Sequence, residues 1–221
     1  RLRVVVGTSE MARLDRGLAA RIADVANRAN GYQRFSEGEV RGRLAKGDAG
    51  RDANRVLHIA LRGERVVGCC SSTLQVGWGA GGGHWGALAV DPAAQGTGVA
   101  TALVAAAERR LLDHGCTSVQ IEYHYHPGDA DSERLRGWYE GKLGFRGSGS
   151  GFRCARKRLS ESTVARLPAE DLQTGPSVVF GSGGASGNRL FAEEGASSEA
   201  ARGGGCPGLQ VRGPACSCLV L

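Results

Sequence analysis

Over residues 1 to 159, short apolar runs alternate with polar turns, with a period of two where strands are expected and of three to four where helices are. Leu2 to Val6 reads as a strand. From Asp15 to Asn30 the apolar residues Leu18, Ile22 and Val25 recur at helical spacing, so a helix is expected there. Ser36 followed by Glu39 forms a capping-box pair that opens a second short helix through Leu44, with Gly47 as its stop. The linker between these helices, NGYQRF, carries Tyr32 and Phe35, both expected at the surface.

Two β-branched runs, RVLHIAL and VVGCCSSTLQV, are joined by RGER, which is a hairpin signal. The glycine-rich turn GWGAGGG leads to a third run, HWGALAV, completing an antiparallel meander ahead of any long helix. From Gly98 to His114 the residues Ala100, Val104, Ala107 and Leu111 form one apolar stripe, and Gly115 ends the helix. TSVQIEYHY is the next strand. Asp131 is placed to cap a further helix with Leu135, Trp138 and Tyr139 inward, and GFRCARKRL is the last strand. The order β, α, α, β, β, β, α, β, α, β predicts a mixed α/β (α+β) fold, a mostly antiparallel central sheet flanked by helices.

Composition divides the 221 residues in two. Residues 160 to 221 drift into Gly, Ser, Ala and Glu with few aromatics, too little apolar surface to offset ordering entropy, and are expected to be a disordered tail. That tail holds four Arg against six Asp and Glu, so the basic excess behind the net charge of +6 sits in the folded part and points to an anionic ligand there. A nucleic-acid partner is not expected, because the arginines are scattered among acids and form no stripe with interleaved aromatics. Seven cysteines without regular spacing make no disulfide framework, and Cys69, Cys70, Cys116 and Cys154 read as small buried residues in a reducing compartment. No metal is expected. The chain opens with Arg1 rather than Met, so any targeting signal ahead of it is unread.

The chemistry concentrates in LAVDPAAQGTGVATALV, residues 88 to 104, where a strand ends and a glycine-containing turn opens directly into a helix. The first turn of a helix has unpaired amides and the positive end of the dipole, and Gly96 and Gly98 let a pyrophosphate approach them. A nucleoside-triphosphate loop would need Lys and Ser or Thr where Val99 and Ala100 stand. A dinucleotide turn would need Gly or Ala where Thr101 stands, at the first strand of a parallel sheet.

LAVDPAAQGTGVA resembles the acetyl-CoA signature of the Gcn5-related N-acetyltransferases (GNAT), with Gln95, Gly98 and Ala100 at its fixed positions. WYEGKLGF resembles the family's second signature, with one residue more between Tyr and Gly-Phe than the common YEKLGF. The resemblance covers residues 1 to 159 and implies the acyl-CoA N-acyltransferase fold, with acetyl-CoA as co-substrate. It implies that the backbone of Leu88, Ala89 and Val90 pairs with pantetheine, and that amides of Gln95, Gly96, Thr97, Gly98, Val99 and Ala100 hold the pyrophosphate. Ser132 stands seven before Tyr139, where many members have an Asn touching CoA. Tyr139 matches the family's general acid, and its ordinary pKa of about 10 suits proton transfer to a forming thiolate.

A protonated amine needs a base before it attacks a thioester. His84 fits the first of two histidines that the arylalkylamine N-acetyltransferases carry on this strand, and Gly86 stands at the second. Strand alternation puts His84 on the face of Leu88 and Val90. Glu122, sharing a face with Gln120 and His124, is an equal candidate, and the base is His84 or Glu122. By the same resemblance Tyr32, Phe35 and Trp78 wall the acceptor site. The expected function is acetyl transfer to a primary amine of a small molecule; the alternative is a silent acyl-CoA-binding module. The ending CSCLVL fits a prenylation box on Cys218, with Cys216 or Cys206 for a palmitoyl chain, so membrane contact of this otherwise cytoplasmic protein is expected only through that end.

Overall fold

The computed structural model describes residues 1–76 and 81–164. Trp78 and the cysteines at 206, 216 and 218 lie outside them, as do residues 165–221, whereas residues 160–164, expected in the tail, pack onto the fold with Val164 buried in the α4-side core. Seven strands form one sheet: β1 (Leu2–Val6), β2 (Arg55–Arg62), β3 (Arg65–Thr73), β4 (Gly82–Val90), β5 (Ser118–Tyr125), β6 (Arg146–Ser148) and β7 (Gly151–Arg158), in the order β1-β2-β3-β4-β5-β7-β6. The helices are α1 (Ser9–Leu14), α2 (Leu18–Asn30), α3 (Glu37–Ala45), α4 (Val99–Asp113) and α5 (Ala130–Arg136). Strand pairing is antiparallel except between β4 and β5, which the crossover helix α4 joins.

The sheet separates two cores. On one side α4 buries Leu103, Val104, Ala107 and Leu111 against Val67, Cys70, Leu88, Val119 and Ile121. On the other, α2 and α3 bury Ile22, Val25, Val40 and Leu44 against Leu57, Ile59, Cys69 and Ala89. The capping box at Ser36 and Glu39 forms as expected.

Four local expectations change. The predicted helix from Asp15 begins at Leu18, and an additional helix, capped by Thr8, precedes it; Asp15 accepts from the Gly17 amide and breaks the two apart. Gly47 is not a helix stop but a crossing point, since a Cβ there would lie 2.1 Å from the carbonyl oxygen of Gly7. Asp129 rather than Asp131 caps α5, its carboxylate accepting from the Ser132 amide at 2.8 Å. Cys69, Cys70 and Cys116 are buried as expected, but Cys154 is exposed, because alternation along β7 turns it to the uncovered sheet face.

One buried ion pair ties the α4 side together. Lys157 Nζ lies 2.8 Å from each carboxylate oxygen of Glu108 and donates to the carbonyls of Leu143 and Thr163 at 3.1 Å. Trp85 Nε1 donates to the same carboxylate at 3.3 Å. Glu108→Leu strands a buried ammonium and is expected to lower stability by about 3–5 kcal/mol in urea denaturation. The pair of substitutions Glu108→Leu with Lys157→Met is expected to cost less than Glu108→Leu alone.

Candidate active site

β4 and β5 pair over only three positions, Gly82↔Ser118, Gly83↔Val119 and His84↔Gln120, and then run on without pairing each other. Beyond His84 the edge of β4 that faces β5 therefore carries unpaired backbone groups, including those of Leu88, Ala89 and Val90. Its other edge stays paired to β3, from Thr73↔His84 to Gly68↔Val90, but with a register shift between Cys69 and Ser71. The extra residue is Ala87, the sole described non-glycine residue with positive φ, at 50°. A bulge of this kind adds one residue to one strand and reverses the alternation of side chains beyond it.

That reversal overturns the expected placement of His84. Trp85, Leu88 and Val90 share the α4 core, whereas Ala87 and Ala89 pack on the α2 side, the side of His84. Tyr139 fills the α4 side of the fork. Its buried ring lies 6.0 Å from Trp85 on β4 and 4.8 Å from Tyr123 on β5, spanning the gap where the strands part.

Tyr139 holds that place despite the extra residue before Gly-Phe because Gly137–Lys142 forms a π-helical turn, closed by the Leu143 amide on the Trp138 carbonyl at 3.0 Å. A π turn absorbs an inserted residue locally, so Phe145 still packs edge-on against Trp85 at 5.7 Å. Glu140 anchors the turn, accepting from Tyr123 Oη at 2.7 Å and Arg153 Nε at 2.8 Å. Burial, then the hydrogen bond to Glu140, pushes the Tyr123 phenol well above its ordinary range. Tyr123 is thereby committed to structure. Ser132, buried in α5, has its amide used by the Asp129 cap.

At the open end of β4, Asp91 accepts from Arg65 at 2.9 Å, from Arg28 at 3.2 Å and from the Ala93 amide at 3.1 Å. Burial opposes its ionisation, but these hydrogen bonds and charges outweigh burial and hold the carboxyl below its ordinary 3.8. Asp91 thus locks the start of the turn. Gln95 follows, and Gly96 and Gly98 take φ of 73° and 85°, with Gly98 as the left-handed N-cap of α4. A side chain at either glycine would be strained by that φ, and open space surrounds both. The amides of Val99 and Ala100 belong to the first turn of α4 and have no intrahelical acceptor. Arg62 donates to Thr97 Oγ1 at 2.7 Å and brings a guanidinium to this turn. Arg62 was not legible in the sequence, because it lies in the β2–β3 hairpin.

On the opposite sheet face, His84 and Gln120 stand at the fork and Glu122 two residues further along β5, its carboxylate accepting from Gln120 Nε2 at 3.2 Å. Burial, then the charge of Arg55, drives the His84 imidazole down to about 4, so it is neutral at pH 7. His124 stacks at 6.4 Å on His126 and meets Phe152 edge-on at 5.5 Å. Tyr32 is exposed, but Phe35 is buried with the guanidiniums of Arg34 and Arg43 at 5.4 and 4.7 Å from its ring. Its surface placement was mistaken because Asn27 accepts from the Phe35 amide at 2.8 Å and folds the linker back onto α2.

A mixed sheet that opens between its parallel strands beside a helix-capping anion cradle is the acyl-CoA N-acyltransferase fold. The chain belongs to the acetyltransferase (GNAT) family, whose model matches residues 21–145, more than half its length. Solved structures share the fold. An aminoglycoside 6'-N-acetyltransferase complexed with coenzyme A is 16% identical with a TM-score of 0.54, covering 71% of this chain and 97% of its own. An acetyltransferase of the GNAT family from Streptococcus pneumoniae is 14% identical with a TM-score of 0.55, covering 72% and 100%. The yncA protein from Salmonella typhimurium, with its cofactor acetyl-CoA, is 16% identical with a TM-score of 0.52, covering 76% and 99%. No curated protein matches the sequence. Among the described residues no helix is long and apolar enough to cross a membrane.

Asp91→Asn removes a carboxylate shared by two arginines, and a loss of about 1–2 kcal/mol is expected at pH 7. Because the folded pKa is depressed, this stabilisation is present above the ordinary 3.8 and disappears as pH falls through the folded value. The gap between wild type and variant in urea denaturation should therefore hold down to about pH 4 and close below it. Deleting Gly141 is expected to convert the π turn to α-helix and leave stability within about 1 kcal/mol, since Gly in a helix is itself unfavourable by roughly that amount. A loss of several kcal/mol on deletion would show that the turn does more than absorb a residue.

Proposed function

We propose that this protein is an acetyl-CoA-dependent N-acetyltransferase acting on the primary amine of a small acceptor. The observation that carries the reading is the fork: β4 leaves β5 at His84, and the freed edge leads straight to the glycine-containing N-terminus of α4. Acetyl-CoA would supply the activated acyl group. The amides of Gly96 to Ala100 suit its pyrophosphate, with Arg62 beside them, and the unpaired edge of Leu88 to Val90 suits pantetheine.

Glu122 is the favoured base. Its carboxylate attracts an ammonium and can accept its proton, directly or through water. His84 has an imidazole pushed to about 4 by burial and then by Arg55, so it is neutral at pH 7, lacks the charge with which Glu122 attracts an ammonium, and serves as a polar wall beside the amine. Tyr139 gives its proton to the departing thiolate from the other side of the fork. Base and acid thus face each other across the gap between the strands.

Free-thiol release from acetyl-CoA by the full chain, against arylamines, polyamines and amino acids, tests the reading. Amine-dependent release is expected, with kcat reduced about 10²–10⁴-fold in Tyr139→Phe and kcat/KM reduced by at least about tenfold in Glu122→Gln. Binding of CoA with no thiol release for any amine would overturn the transferase in favour of a silent acyl-CoA module.

A further inference from the structure

A row of cross-strand neighbours crosses the sheet face opposite α4: Arg55 on β2, Thr73 on β3, His84 on β4, Gln120 on β5 and Arg156 on β7. Paired residues in register project to the same face, so the row passes directly over the fork. Arg55, Thr73 and His84 are half-exposed, beyond the part of the face that α2 and α3 cover. Arg156 is tethered to Gln120 by a hydrogen bond to its side-chain oxygen.

Arg55 is the unusual member. Its Nη2 donates to Ser71 Oγ at 3.4 Å, while its Nε is buried and has no hydrogen-bond partner among the described residues. Arg28, Arg65, Arg109 and Arg153 each meet a carboxylate within 4.0 Å, but among the described residues none lies that close to Arg55 or to Arg156, the two arginines of the row. A half-buried guanidinium held by one hydroxyl is a fork of donors matched to a carboxylate. Position 86, the cross-strand neighbour of Ser71 on β4, is glycine, and the same hydroxyl donates to its carbonyl at 3.0 Å, tying the guanidinium to the strand that opens. On the far side of His84 sits the carboxylate of Glu122. The face therefore presents a cation on the β2 side, a neutral imidazole at the fork and, beyond it, the Glu122 carboxylate on β5 followed by the guanidinium of Arg156, which is tied to Gln120.

We propose that the acceptor is an amine carrying a carboxylate within a few bonds of the nitrogen, of the amino-acid class, with Arg55 binding the carboxylate and Glu122 facing the ammonium. This rests on the transferase reading above. β2 and β4 are two strand spacings apart, about 9–10 Å, and an arginine side chain leaning over β3 covers most of that distance. A zwitterion then lies along the row with its nitrogen at the fork. A simple monoamine leaves the guanidinium without a counter-charge, and a diamine sets a second cation against it. Arg55 is a specificity residue that touches neither the thioester nor the attacking nitrogen.

The test uses acceptor pairs that differ only in the carboxylate: phenylalanine and phenethylamine, methionine and 3-(methylthio)propylamine, lysine and cadaverine. The full-length wild type is expected to favour the acid by tenfold or more in kcat/KM in at least one pair. Arg55→Gln is expected to bring that ratio near one, mainly through KM of the acid, and Arg55→Lys to recover part of it. A wild-type ratio near one in every pair, or a ratio unchanged in Arg55→Gln, overturns the proposal. Where Arg55→Gln fails to fold by circular dichroism, Arg55→Lys carries the test, with at least a threefold fall in the ratio expected. If no amine is acetylated, calorimetric titration of the protein with the same pairs, with and without CoA, separates the two ideas. Preferential binding of the acid that Arg55→Gln removes keeps the carboxylate site and sinks only the transferase, whereas equal or absent binding sinks the carboxylate site.

Discussion

The parting of β4 from β5 after His84 is the constraint on which the rest of the structure depends. A β-strand normally uses both edges, and unpaired backbone groups at the centre of a sheet are costly unless a partner takes them. Here the bulge at Ala87 turns β4 away while its other edge stays bonded to β3 as far as Val90. Trp85, Tyr123 and Tyr139 occupy the α4 side of the opening with ring contacts, so the gap is held apart by packing and does not close by zipping the strands together. A non-glycine residue at positive φ stores about 1 kcal/mol or more of backbone strain, which the strand pairing on either side of Ala87 over-determines.

The fork is useful only because its open end is fixed to a helix terminus. Asp91, shared by Arg28 and Arg65 from α2 and β3, fixes where β4 ends, and Gly98 then starts α4 with its amides outward. The body of α4 is secured by the Glu108–Lys157 pair, which reaches β7, the chain after α5 and the segment beyond β7 in one set of bonds. Strength is thus concentrated on the α4 side, while the opposite face carries polar side chains at the fork, His84 and Glu122 half-buried and Gln120 buried.

The two faces also divide the charges. On the α4 side, burial and Glu140 commit Tyr123 to structure and leave Tyr139 against the fork. On the other side, burial and then the charge of Arg55 lower the proton affinity of His84, which in the reading proposed above leaves Glu122 as the charged partner for an amine. The same guanidinium bears, in the proposal above, on the choice of acceptor. Both effects follow from its place in register with Thr73 and His84, not from its position in the sequence.

Local chemistry made much of this protein legible from its sequence: the strand and helix order apart from α1 and β6, the capping box at Ser36 and Glu39, the glycine N-terminus of α4 and the two family signatures around Gln95 and Tyr139. Each of these depends on residues within a few positions of one another, where period, φ preference and capping act directly. Tertiary structure alone decided the rest. The bulge at Ala87 reversed the face of His84 relative to Leu88, the π turn kept Tyr139 and Phe145 in place around an inserted residue, and the uncovered side of β7 exposed Cys154. Arg55, Arg62 and Asp91 acquired their partners across 16, 35 and 63 residues of chain. Period and propensity carry no information about which distant strand will lie alongside, so convergence of this kind exists only once the sheet has chosen its register.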